Sequence, residues 1–187
     1  MPPKKKFTRE QIIDAAFEIA KKEGLGSITI RKIANALGSS IAPIYVNFND
    51  VDELLEGVML KIHELTQNIL LEQNTGYPFL DIGIASLKFA KEYDVLFKDL
   101  VFQKNDQFDV DMEEQLVELM KTDPDLKGFS TDELKDILLK LKIFQTGLSL
   151  MVANGLLSNK TDEQLIEMLM SMGNDVIVAK RQSKGVE

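Results

Sequence analysis

The stretch TIRKIANALGSSIAPIYVNF, Thr29 to Phe48, decides the reading of this chain. Ile30, Ile33, Ala34 and Leu37 recur at the three-four spacing of one helical face. Thr29 is placed to cap that helix, and Gly38 ends it as a residue free to take a left-handed backbone. A second short helix follows, with Ser40 as its expected cap. Pro43 falls in its first turn, where the missing amide costs no intrahelical bond. Two short helices around a tight Gly-containing turn are a helix-turn-helix signature. Leu37 and Ile44 are expected to pack the pair together. Ile41, Ala42, Pro43, Tyr45, Val46 and Asn47 then face outward, where the start of a recognition helix enters a major groove. Apolar Ile41 and Val46 suit thymine methyls, and Asn47 has the donor and acceptor for an adenine edge. Tyr45 and Arg31 suit phosphate oxygens. Thr29, Lys32 and Ser40 complete the candidate DNA face, together with the basic run Lys4, Lys5, Lys6.

Upstream, Thr8 and Gln11 read as a capping box, followed by Ile13, Ala16, Phe17 and Ala20 on one stripe up to Gly24. Downstream, Asp50 and Glu53 read as another box. It opens a long helix with Leu54, Leu55, Val58, Ile62, Leu65 and Ile69 on one face, ending near Gln73. Pro78 suits the first turn of the next helix, which ends near Tyr93, and Asp94 caps a shorter one up to Gln103. Lys104 to Asp109 reads as a polar turn. A helix then runs to Lys121, stopped by Asp123-Pro124. Ser130 with Glu133 and Thr161 with Gln164 open the last two helices, expected to reach about Leu157 and Arg181. The fold expected is all-α with about nine helices. It divides into a helix-turn-helix head, 1–50, and a helical body, 51–187.

Charge separates the same two parts. The segment up to Phe48 has eight basic and four acidic residues, a charge of +4. The rest carries −12, within a net charge of −8. A basic head on an acidic body places any polyanion at the head. The 187 residues contain no cysteine, which excludes disulfide scaffolds, thiolate metal sites and cysteine nucleophiles. His63 has no second ligand at helical spacing, so no metal is expected. Gly24-Leu-Gly26 lacks the strand, third glycine and acidic partner of a dinucleotide site, and no cofactor is expected. No residues recommend an enzyme. The apolar run after the basic start is broken by Asp14 and Glu18, and Leu148–Leu157 is too short to span a bilayer, so a cytoplasmic location is expected.

The residues from Thr8 to Leu55 resemble the DNA-binding domain of TetR-type (tetracycline-repressor-like) transcriptional regulators. Thr8-x-x-x-Ile12-x-x-Ala15-Ala16, Thr29-Ile-Arg-Lys-Ile-Ala34, Leu37-Gly38, Ile44-Tyr45-x-x-Phe48 and Glu53-Leu54 follow one another in the family's register without a gap. The resemblance implies a homodimer whose two heads read double-stranded operator DNA and whose C-terminal domain dimerises and often binds a small effector. It implies a regulator, expected here to be a repressor released when an effector tilts the long helix after Asp50. A regulator that binds another protein, with weak or no DNA contact, is the alternative. Val51 stands where the family has a lysine near a phosphate. Val46 lacks the bulky or basic residue often found at its position. Phe144-Gln-Thr-Gly-Leu148 and Gly155 resemble a segment of the family's penultimate helix, with Thr146 where a histidine is frequent.

For the effector, Phe89, Tyr93, Phe97, Phe102, Met120, Phe144 and Met151 are the candidate pocket residues, with packed core as the other reading of each. Few charges fall within these stripes, so an apolar or amphipathic small molecule is expected. For the dimer face, the candidates are Gly147, Gly155, Leu165, Leu169, Met172 and Val176. The last two helices carry Leu165, Ile166, Leu169, Met172, Val176 and Ile177, more apolar surface than one exposed helix needs.

Overall fold

The computed structural model describes residues 7–102 and 106–184. Every regular element among them is helical. The head consists of α1 (Arg9–Glu23), α2 (Ile30–Ala36) and α3 (Ala42–Tyr45), with a 3-10 turn at Leu25–Ser27 between the first two. The body consists of α4 (Val51–Leu71), α5 (Pro78–Glu92), α6 (Asp94–Phe102), α7 (Asp106–Met120), α8 (Thr131–Ala153) and α9 (Asp162–Lys184).

The caps explain most starts. Thr8 and Gln11 exchange both bonds of a capping box, as do Ser130 and Glu133, and Thr161 and Gln164. Each such cap contributes about 1 kcal/mol by satisfying amides that the helix cannot. Two expectations are corrected. Asp50 accepts from the Glu53 amide, but the Glu53 carboxylate reaches past it to Asn49, so this box is not reciprocal. Ser40 does not cap α3, which starts after Ile41 without a side-chain cap; the Ser40 carbonyl instead accepts from the Ser39 hydroxyl.

Three boundaries also move. The polar stretch expected as a turn is helical from Asp106, because the acidic residues favour a helix N-terminus. α8 stops at Ala153 rather than near Leu157, and Gly155 follows with φ +70°, a turn conformation that side chains resist. α9 continues to Lys184.

One apolar cluster joins head and body. Ile12, Ala16, Ile33, Ile44 and Phe48 pack with Leu54, Val58 and Ile62 of α4 and with Phe89, Leu96 and Phe97 of α5 and α6. Fully burying one such side chain stabilises by about 1.5–3 kcal/mol. The approach of α1 to α4 depends on Gly57, where a Cβ would lie 2.7 Å from Ile13 Cδ1. A second cluster joins α7, α8 and α9 around Met120, Leu134 and Ile137. A third places Leu87 of α5 against Leu148, Leu165 and Leu169. No helix among the described residues is long and apolar enough to cross a membrane.

Candidate nucleic-acid interface and effector cavity

α2 and α3 are too short to be stable alone, so their geometry is set by what they bury. Ile33 and Ile44 are fully buried between them, and Gly38 turns the chain at φ +60°. The period of the helix then pushes the intervening side chains outward. Ile41 is 46% exposed, Tyr45 55% and Val46 53%. Three large side chains this exposed within six residues, beside exposed Ser40 and Ala42 and half-buried Pro43, form the patch expected for a groove-facing helix.

The other expected DNA-face residues fall into different environments. Thr29 is exposed, and its hydroxyl accepts from the Lys32 amide as the cap of α2. Arg31 is exposed and forms no ion pair among the described residues. Lys32 Nζ lies 2.6 Å from Glu23 Oε2, an exposed pair that costs little to open. Lys4, Lys5 and Lys6 lie outside the described residues.

Asn47 departs from its expected role as an outward base reader. Its side-chain Nδ2 donates to the carbonyls of Pro43, at 2.8 Å, and Phe7, at 3.3 Å, and its Oδ1 is buried. It fastens the chain before α1 to the end of α3. Arg9 adds to the same joint: Nη1 donates to the Asn47 carbonyl and to Glu53 Oε1, and the guanidinium lies 4.2 Å from the centre of the Phe48 ring. The Asn49 backbone amide, and then Arg9, hold the Glu53 carboxyl below its ordinary range. Val51 is the first residue of α4 and half-buried.

The body contains a cavity of about 960 Å³ between α4, α5, α6, α7, α8 and α9. Its walls are mainly apolar, with Ile62, Phe89, Phe97, Phe144 and Leu169 among them. Within the wall, Gln145 Nε2 donates to the hydroxyls of Ser86 and, at 2.9 Å, Ser149. Thr66 and Gln67 add hydrogen-bonding groups from α4. At the rim, Leu139, Ile143 and Met170 are exposed, as is Lys142.

Of the seven pocket candidates, Phe89, Phe97 and Phe144 line the cavity. The other four do not. Tyr93 stacks on Phe89, with ring centres 5.4 Å apart, without lining the cavity itself. Met120 is fully buried in the second cluster. Phe102 is 77% exposed and Met151 is exposed. Apolar periodicity alone could not separate wall, core and surface here. Ser86 and Gln145 escape a sequence reading, because a single polar residue on an apolar stripe carries no periodic signal.

The dimer candidates fall into several environments. Leu165 and Leu169 are buried in the third cluster, and Val176 packs against the second. Met172 is half-buried; Gly147 is exposed with open space above it; Gly155 belongs to the turn after α8. The apolar residues left exposed on α8 and α9 are instead Leu139, Ile143, Met151, Met168, Met170 and Val178.

The head thus has helix-turn-helix geometry and stands on a helical body with a large cavity. The family model of bacterial regulatory proteins of the tetR family matches residues 12–58. Over 54 residues the chain is 33% identical to an HTH-type nicotine-responsive transcriptional repressor, HdnoR, of Paenarthrobacter nicotinovorans, a match covering 29% of this chain and 28% of that protein. Among solved structures, a transcriptional regulator of Rhodococcus sp. Rha1 superposes with a TM-score of 0.67 at 17% identity, over 92% of this chain and 97% of that one. The fatty acid degradation regulator FadR of Bacillus halodurans gives 0.60 at 17% identity, over 95% and 96%. Residues 12–58 thus match the head of that family, and the chain shares its all-helical fold with these solved structures.

Proposed function

We propose that this protein is a homodimeric, sequence-specific DNA-binding transcriptional regulator, a repressor released by a small apolar or amphipathic molecule. The observation that carries the reading is the exposed Ile41–Tyr45–Val46 patch on a helix otherwise locked into the core by Ile44. Arg31 stands exposed on α2 to meet phosphate, and Ile41 and Val46 offer methyl groups to thymine. The head spans 1–50 and the effector and dimerisation domain 51–187.

The cavity lies within the range of ligand pockets, roughly 300–1,000 Å³, and its composition selects the ligand. Apolar walls favour an alkyl or aromatic body, and the Ser86–Gln145 pair orients one polar group. The repressor likeness of the head and the fatty-acid context of one structural neighbour agree with an apolar inducer. α8 and α9 supply the face for a second copy, and the exposed apolar residues on them offer surface for it to cover. Two heads then meet half-sites about 34–36 Å apart.

Footprinting the purified protein on the DNA upstream of its own gene tests the reading. Two protected half-sites one helical turn apart, or a multiple of that, are expected. Sedimentation should give twice the 21.1 kDa chain mass. Addition of an apolar compound that raises the melting temperature should weaken the footprint, because the two effects share one coupling free energy. A 21.1 kDa species with no protected DNA would reject the function.

A further inference from the structure

The α1–α2 turn is gripped by a side chain from far along the chain. Asp99 Oδ2 on α6 accepts a hydrogen bond from the Leu25 backbone amide at 2.6 Å. That amide begins the 3-10 turn leading from α1 into α2 and has no backbone acceptor among the described residues. The carboxylate fits because residue 24 is glycine: φ is +88°, and a Cβ there would lie 2.6 Å from Oδ2. Leu25 and Ile28, on either side of the turn, are buried in the same cluster as Ile33 and Ile44 of the helix-turn-helix.

The opposite side of α6 belongs to the cavity. Phe97, Leu100 and Val101 line it. At about 100° per residue, they cluster on one side of the helix and Asp99 falls about 200° around from Phe97. One short helix therefore holds the cavity wall on one face and the head on the other. The 2.6 Å hydrogen bond ties α6 directly to the turn that leads into α2.

We propose that Asp99 is a positioning residue that couples the cavity to the head. An occupant that displaces α6 acts on the α1–α2 turn through the Asp99–Leu25 bond, independently of any tilt of α4. This rests on the reading of the cavity as a ligand site and of the head as a DNA reader.

The test compares wild type, Asp99→Ala and Asp99→Asn, with dodecanoate as the probe. Measurements are the melting temperature, affinity for a selected two-half-site duplex and for one half-site, and amide exchange at Leu25. In wild type, dodecanoate should raise the melting temperature and weaken two-site binding. Asp99→Ala should keep the thermal shift but lose the DNA response, whereas Asp99→Asn should retain it, because a carboxamide oxygen still accepts from Leu25. A full response in Asp99→Ala, or no rescue in Asp99→Asn, overturns the proposal. If dodecanoate gives wild type no thermal shift, the ligand reading fails for this probe and the apo protein decides the coupling. Asp99→Ala should then lower the two-site to half-site affinity ratio about tenfold, and unchanged ratios overturn the proposal. If wild type binds no DNA, Leu25 exchange decides: about tenfold faster exchange in Asp99→Ala supports the grip, and unchanged exchange overturns it.

Discussion

The head and the body solve opposite problems with the same helices. In the head, very short elements are held without slack: Ile33 and Ile44 have no exposed surface, and Arg9, Asn47 and Glu53 fasten the ends of α1, α3 and α4 together. In the body, long helices with strong caps leave a cavity of about 960 Å³ at their centre. On the proposed function, the surface that reads DNA must keep its shape, and the site that senses a molecule must have room to change. Packing density is therefore spent at the head and withheld from the middle of the bundle.

Substitutions that create space test the contrast most strongly. Ile44→Ala removes a fully buried side chain with no room to collapse, and should destabilise by about 2–5 kcal/mol in a denaturant titration. Phe144→Ala in the cavity wall should cost less, at or below about 2 kcal/mol, because half-buried Phe144 borders space that already exists. Equal costs would mean that the body is packed as tightly as the head.

A smaller effect sharpens the electrostatic side of the head. Val51→Lys puts a cation at the start of α4, where the helix dipole disfavours it by roughly 0.3–1 kcal/mol. One new phosphate contact per subunit should steepen the slope of log affinity against log salt by about 1.8 for a dimer. A salt titration of both proteins on one duplex measures it, and an unchanged slope would place Val51 away from the DNA backbone.

The smallest effect is that of Glu53. Its pKa is lower in the folded chain than in the unfolded one, through the Asn49 amide and Arg9. The stabilisation is complete above the ordinary carboxyl value of 4.5 and is lost as pH falls through the depressed folded value. The difference in melting temperature between wild type and Glu53→Gln should be present at neutral pH and shrink below pH 4.5. A difference that persisted in acid would assign it to geometry rather than charge.

The contrast also explains how far the sequence could be read. In the head, Thr8, Gln11, Thr29, Gly38 and Pro43 act locally, through caps and turns, and these signals survive in one dimension. The inward turn of Asn47 was not legible, because its Nδ2 donates to the carbonyls of Pro43 and of Phe7, forty residues earlier. The body's apolar stripes predicted helices but not their neighbours. Leu165 and Leu169 pack in the core, Met120 is core rather than wall, and Phe102 is at the surface. Asp99 is one aspartate on a short helix until the fold brings it to Leu25.

The central claim is that the exposed side chains of α3 bind duplex DNA, and affinity with stability held in view tests it most directly. Wild type and Tyr45→Ala should be titrated on one selected two-site duplex at fixed salt, with the melting temperature of each protein recorded. Tyr45 is 55% exposed, so its removal should change stability by less than about 0.5 kcal/mol. The affinity should fall at least about tenfold, since each subunit loses a contact to the duplex. Equal affinity for the two proteins would contradict the account.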